Sequence, residues 1–256
     1  MIFSGCTSSA MNQGQNFSSI TPGKLIVATG TAYKPFMWIN TSDSDPQGRY
    51  TGFEMDLMRE IAKDLNCSVE FTSQPFSSMI TAIQADQFDC AIASFSITAD
   101  RQTKVSFSDP YYEVQQAIIV RADDNSINNA TDLANENKIV AVNMGSTGAE
   151  EAKDVLGIKD ENIRTYEHMS NAFPDLKIGA VDAIIMDYPT GRNYADSYPG
   201  SFKFVGQLLP QKEPYAIVIN KENTKLTAAI DKALANIKAD GRYDALLRKY
   251  NLDTVS

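Results

Sequence analysis

Along the N-terminal third of the chain, short apolar runs alternate with stretches whose apolar residues recur at intervals of three and four. Residues 24–28 form a brief apolar run that predicts a strand. Residues 29–47 carry Pro35, Pro46 and a polar Asn40–Asp45 cluster, and read as a loop. From 54 to 66 the apolar positions Met55, Met58, Ile61, Ala62 and Leu65 follow a helical period, with Glu54 near the start where an acid suits the helix dipole. Residues 68–72 alternate like a strand, 79–84 suit a short helix, and 89–94 suit another strand. A β-α-β-α-β rhythm of this kind implies a parallel sheet covered by helices.

The rhythm then restarts. Strands are predicted over 118–121, 138–143, 162–166 and 183–186. Thr131-Asp132-Leu133 starts a short helix, and Gly145-Ser146-Thr147-Gly148 turns into another that runs to about Val155. Two amphipathic helices, 226–240 and 243–250, close the chain, separated by Gly241. Two α/β units in series predict two lobes rather than one large sheet.

Composition narrows the function classes. The 256 residues are 43% hydrophobic and 21% charged, ordinary for a folded soluble protein. The net charge of −9 argues against nucleic acid, which rewards basic patches. No apolar run approaches the roughly 18 residues of a membrane span. Cys67 and Cys90 sit at apolar, strand-like positions, so they are either buried thiols or a pair in an oxidising compartment. A single histidine, His168, and the lack of paired cysteine spacing argue against metal ligation, and no cofactor is expected.

The chemistry concentrates between Ala93 and Gln102. An apolar run, Cys90 to Ala93, opens into the hydroxyls of Ser94 and Ser96, with Arg101 five residues later. Arginine offers a planar fork of donors that matches a carboxylate, whereas seryl oxygens and free carbonyls accept from an ammonium. An α-amino acid carries both groups on one carbon. Further along, Gly145–Gly148 would place free amides at a helix N-terminus, where an anion is favoured, with Ser146 or Thr147 as the cap. The turn lacks the lysine of a phosphate loop. Asp187 ends an apolar strand, where it either meets a ligand or caps the next turn.

Taken in order, ATGTAYKPF (28–36), GFEMDL (52–57), ASFSITADRQ (93–102), GSTGAEE (145–151), VDAIIMD (181–187) and ADGRYDALLRKY (239–250) resemble the bacterial solute-binding proteins for polar amino acids, the family of the glutamine-, histidine- and lysine/arginine/ornithine-binding proteins of ABC importers. The resemblance spans about 24–252. It implies an α/β, two-lobed periplasmic-binding-protein fold of type II, each lobe a mostly parallel sheet flanked by helices. Lobe 1 would be discontinuous (23–112 plus 215–256) and lobe 2 would comprise 113–214, with hinge strands near 112–116 and 209–214.

The same resemblance implies roles. Arg101 and the Thr147 amide would hold the ligand's carboxylate, and Asp187, the Ser94 carbonyl and the Ser96 hydroxyl its ammonium. Tyr33 and Phe76 would sandwich the side chain, with Phe95 and Ser146 completing the site. One departure bears on selectivity. Cation-selective relatives carry an acid three residues before the tyrosine corresponding to Tyr33, and here that position is Gly30. Gly148 likewise replaces a longer polar residue. Both favour a glutamine- or cystine-like ligand over a cation, which would be costly to bury unpaired.

The expected partners are a free amino acid and a membrane permease. The ATPase would be another chain, since no Walker motif occurs. A monomer is expected, with no catalytic residues. Phe3-Ser4-Gly5-Cys6 resembles a bacterial lipobox, followed by a polar stretch to Thr21 that reads as a flexible tether, so that 1–22 would anchor the protein by a lipid on Cys6 in the periplasm or on the outer face of the cell membrane. The alternatives are a cyclohexadienyl or arogenate dehydratase-like enzyme on the same architecture, which would need a general acid in the cleft, and a ligand-sensing domain.

Overall fold

The computed structural model describes residues 17–135, 138–206, 209 and 211–253. Cys6 lies outside the described residues. The chain opens with β1 (Lys24–Thr29), β2 (Ala32–Tyr33), β3 (Met37–Ile39), β4 (Tyr50–Thr51), α1 (Phe53–Asp64), β5 (Ser68–Ser73), α2 (Phe76–Gln84), β6 (Cys90–Ala91), α3 (Ala99–Lys104) and β7 (Ser106–Phe107). The long strand β8 (Tyr112–Arg121) leads to α4 (Ala130–Asn135), β9 (Val140–Asn143), α5 (Thr147–Glu150), β10 (Ile163–Tyr166), α6 (Ala172–Lys177), β11 (Ala183–Asp187), α7 (Tyr188–Ser197) and β12 (Phe202–Phe204). The return runs through β13 (Lys212–Tyr215) and β14 (Val218–Ile219) to α8 (Thr224–Ala239) and α9 (Arg242–Lys249).

These strands build two main sheets, ordered β5-β1-β6-β14-β7 and β10-β9-β11-β8-β12. In each, four of these five strands run in the same direction, and the one reversed strand, β14 in the first and β8 in the second, belongs to a segment that crosses between the sheets or follows a crossing. The first sheet and helices α1, α2 and α8 enclose one core that includes Leu25, Val27, Ile61, Ile83, Ile217 and Leu234. The second sheet is covered on both faces. Ile118, Val120, Val140 and Ile185 point into one cluster, while Ile119, Ala141, Ile184 and Met186 point into another. A strand buried on both sides has no polar face, which is why 117–120 and 183–186 read as continuous apolar runs.

The two sheets are joined by β8 and β13, which pair antiparallel from Lys212 against Gln115 to Tyr215 against Tyr112. Glycine is required where α1 begins. Gly52 has φ 133°, and a Cβ there would lie 2.1 Å from the Phe36 carbonyl oxygen.

The structure differs from expectation in three places. Residues 29–47 are not simply a loop, because Tyr33 pairs with Met37 and Trp38 with Thr51 in a small three-stranded sheet. Its polar cluster folds on itself, with the Asn40, Asp43 and Asp45 side chains accepting backbone N–H groups two residues on. The last residues of the expected tether are also held: Phe17 is buried in the first core, and the Ile20 amide donates to Asp89 Oδ1 (2.7 Å). Finally, the strand expected over 89–94 pairs only at Cys90–Ala91, because Ser94 turns into the left-handed region (φ 54°). Cys67 and Cys90 are free thiols, and burial raises the pKa of both.

Candidate functional site

The residues singled out in the sequence converge on one cleft between the sheets, about 670 Å3 of space continuous with solvent. Its walls include Gly30, Tyr33, Phe76, Ser94, Ser96 and Arg101 from the first side, and Ser146, Thr147 and Asp187 from the second. In open α/β sheets, binding residues gather beyond the carboxyl ends of strands, and here the ends of β1, β9 and β11 all face the cleft.

Arg101 sits in the first turn of α3, whose cap Thr98 accepts the Arg101 amide. Its guanidinium is buried, donating to the Ser96 carbonyl (2.8 Å) and, across the cleft, to the Gly145 carbonyl (3.0 Å). It stands 5.5 Å from the ring centroids of both Phe76 and Phe95, which stack on each other at 4.4 Å. Two of five N–H donors are thus used, and the rest remain for an anion. Burial lowers the Arg101 pKa against the pull of Glu150, Glu213 and Asp187. Phe95 itself is 1% exposed and backs Phe76 instead of lining the cleft. This side-chain placement departs from the expected direct role: Ser94 and Ser96 line the cleft, while Phe95 turns away and stacks on Phe76.

On the opposite wall, Ser146 caps α5. Its hydroxyl accepts from the Ala149 amide (3.2 Å) and donates to the Asn143 carbonyl (2.9 Å). Asp187 ends β11 and is buried beneath three donors. Tyr215 and Tyr33 donate to Oδ2 (2.5 Å for Tyr33), and the Gln116 amide donates to Oδ1 (2.5 Å). Burial pushes its pKa up to about 6, with the tyrosine hydrogen bonds opposing the rise. The Tyr33 to Asp187 bond crosses the cleft, as does that from Tyr194 to the Ala32 carbonyl (3.1 Å). Tyr33 is therefore a polar bridge as well as a wall.

Several residues escaped the sequence reading. Glu213 accepts from the hydroxyls of Ser96 (2.5 Å) and Thr147 (2.6 Å), and Gln116 lies 3.4 Å from its other oxygen. Glu54, expected mainly at a helix start, is fully buried behind Ser94. Its Oε1 accepts from the Ser94 amide (2.8 Å), the Ser94 hydroxyl (2.9 Å) and Tyr111 (2.6 Å), while Oε2 has no partner. Desolvation raises its pKa to about 7. Thr31, Gln74, Glu167 and His168 line the cleft as well. Of the two glycines, Gly30 does face the cleft, and a Cβ there would meet Met37 Sδ at an ordinary 3.5 Å. Gly148 faces inward: a Cβ would press on Gln116 Oε1 at 3.1 Å and the Ile185 carbonyl at 3.3 Å. Its lack of a side chain makes room for Gln116 and does not enlarge the cleft. Among the described residues there is no cluster suited to a metal ion and no helix long and apolar enough to cross a membrane.

Residues 25–253 match the bacterial extracellular solute-binding proteins, family 3. The chain is 30% identical over 233 residues to a probable histidine-binding protein of Neisseria gonorrhoeae, covering 90% of this chain and 84% of that one. Among solved structures, an ancestral arginine-binding protein bound to glutamine superposes with a TM-score of 0.82 at 36% identity, covering 91% of this chain and 99% of that one. An ancestral amino acid-binding protein, precursor of cyclohexadienyl dehydratase, superposes at 0.78 with 34% identity, covering 89% and 95%.

Proposed function

Because the chain belongs to family 3 of the bacterial extracellular solute-binding proteins, we propose that it captures a polar L-amino acid in this cleft and presents it to the permease of an ABC importer. The observation that carries the reading is the placement of a buried guanidinium, Arg101, and a buried carboxylate, Asp187, in the walls of one small cleft. Arg101 and the Thr147 amide take the α-carboxylate. Asp187, Ser96 and the Ser94 carbonyl take the α-ammonium. Tyr33 and Phe76 flank the side chain. Segments 23–112 and 215–256 act as one lobe and 113–214 as the other, with β8 and β13 as the hinge. The protein works as a monomer, held at the membrane by a lipid on Cys6.

The side chain bound is polar and uncharged, glutamine- or cystine-like. Gly30 supplies no acid, Glu54 is turned away behind Ser94, and Asp187 is occupied by its donors and the ammonium. Glu167 lies at the exposed margin, where water weakens its pull on a cation. An ancestral arginine-binding protein has been solved with glutamine and also with arginine, so a framework of this kind accepts a neutral side chain as well as a cationic one. Binding is favoured over dehydratase chemistry because Asp187, the acid such a reaction would use, already takes three fixed donors.

Competition calorimetry with glutamine, cystine, histidine, arginine and lysine tests the reading. Glutamine or cystine is expected to bind tightest. Displacement of both by arginine at equal concentration refutes the neutral selectivity, and binding of none refutes the function.

A further inference from the structure

Glu213 belongs to β13, one of the two strands joining the sheets, and does not line the ligand cleft. It lies behind the cleft floor, facing a second cavity bounded by Thr98, Glu150, Asp154 and Lys212. It is only 8% exposed. One oxygen, Oε2, accepts from both Ser96 Oγ (2.5 Å) and Thr147 Oγ1 (2.6 Å), hydroxyls carried by opposite walls of the site. Gln116 holds the arrangement in place. Its Nε2 reaches Asp187 Oδ1 (2.5 Å), Thr147 Oγ1 (3.3 Å) and Glu213 Oε1 (3.4 Å), which fixes the amide with its nitrogen toward the two acids.

We propose that Glu213 is a positioning residue that fixes the polarity of the Ser96 and Thr147 hydroxyls and so makes this end of the cleft specific for an ammonium. A hydroxyl has one proton to donate and two lone pairs. A carboxylate accepts only, so each hydroxyl bonded to Glu213 spends its proton there. Ser96 Oγ then presents lone pairs alone to the cleft. Thr147 Oγ1, which also accepts from Gln116, keeps one. Neither can donate to a ligand carboxylate, and both can accept from an ammonium. The head group is thereby oriented: the carboxylate is turned toward Arg101, and the ammonium toward Asp187 and the two hydroxyls. Without Glu213 each hydroxyl could rotate and donate, and the distinction between the two ends would weaken.

This inference rests on the amino-acid reading above, and its test separates the two. A Glu213→Leu variant, which removes the acceptor at similar size, is compared with the parent for L-glutamine and L-arginine and for their des-amino counterparts, glutaramic acid and 5-guanidinopentanoic acid, by calorimetry and ligand-detected NMR. The expected result is a loss of tenfold or more for the amino acids, with the des-amino acids changed less than threefold. A variant that weakens both kinds of ligand equally, or neither, overturns the proposal, since a role in shaping the hinge alone would not distinguish them. Should Glu213→Leu not fold, the parent and a Ser96→Ala/Thr147→Val variant are compared with the same ligands. Loss confined to the amino acids is again expected, and equal loss overturns the proposal. A parent protein that binds neither amino acid refutes the functional reading itself, and this inference with it.

Discussion

Replacing Glu54 by glutamine should change how stability depends on pH while leaving the ligand site in place. The side chain is fully buried, and only one of its oxygens is used. Desolvation raises its pKa from an ordinary 4.5 to about 7. The folded state therefore holds this proton more tightly than the unfolded chain does. The resulting contribution to stability is fully present below pH 4.5 and is lost as pH rises through 7. At about 1.36 kcal/mol per pH unit, the rise corresponds to roughly 3 kcal/mol. In Glu54→Gln the amide oxygen can take the place of Oε1 and keep all three donors, while the NH2 group occupies the position that is unpartnered in the parent. The variant never acquires the buried charge. Its stability relative to the parent should be near zero at pH 4 and rise to about 3 kcal/mol in its favour at pH 8. Denaturant unfolding of both proteins at four pH values between 4 and 8.5 measures this difference, in which other titrating groups largely cancel. Parallel pH profiles would show that Glu54 keeps an ordinary pKa and that its burial is not the dominant effect.

Arg101→Ala should all but abolish amino-acid binding with the fold intact: losing a buried charged partner costs about 2–5 kcal/mol, roughly 30- to several-thousand-fold by calorimetry, and near-parental affinity in a folded variant refutes the assignment. Saturating ligand should lower the radius of gyration seen by X-ray scattering, because Arg101 and Asp187 stand on facing walls and a closed cleft completes the site; equal radii in both states would overturn closure. Gly30→Asp has room beside Met37 Sδ at 3.5 Å and should shift selectivity toward arginine by about tenfold, or about 1.4 kcal/mol, in competition with glutamine, an unchanged ratio being the refuting result.

Much of this architecture could be read from local pattern. The period of three and four located α1, α8 and α9 to within two residues, since α1 and α8 each bury an apolar stripe and α9 lays the half-buried Tyr243, Leu246 and Leu247 against the same core. The pattern was silent where elements are short or owe their form to neighbours. Strands β7 and β14 are two residues long and exist because they pair with each other, and α7 buries only Pro189, Thr190 and Gly191. The site followed the same division. Ser94, Ser96 and Arg101 stand together in one segment and could be recognised there. Glu213 is 117 residues from Ser96 and 66 from Thr147, and Glu54 is 40 residues from Ser94. In sequence each is one acid among many. Only the crossing of β8 and β13 and the left-handed turn at Ser94 bring them under the hydroxyls they hold.

That distribution divides the cleft into two physically different halves. Arg101, Asp187, Gln116 and Glu213 are all buried and tied to one another through Ser96 and Thr147. In such a buried network a ligand that leaves one group unpaired carries a large desolvation penalty, so on the proposed reading this half would discriminate strongly for a zwitterionic head group. The other half is built from Gly30, Thr31, Gln74, Glu167 and His168, mostly on connecting segments beside the small sheet and after β10. It offers aromatic walls and polar groups nearer to water, where one substitution changes affinity by modest factors. On the proposed reading, a framework of this kind would keep its grip on the amino and carboxyl groups while its choice of side chain is altered at a few loop positions, Gly30 among them.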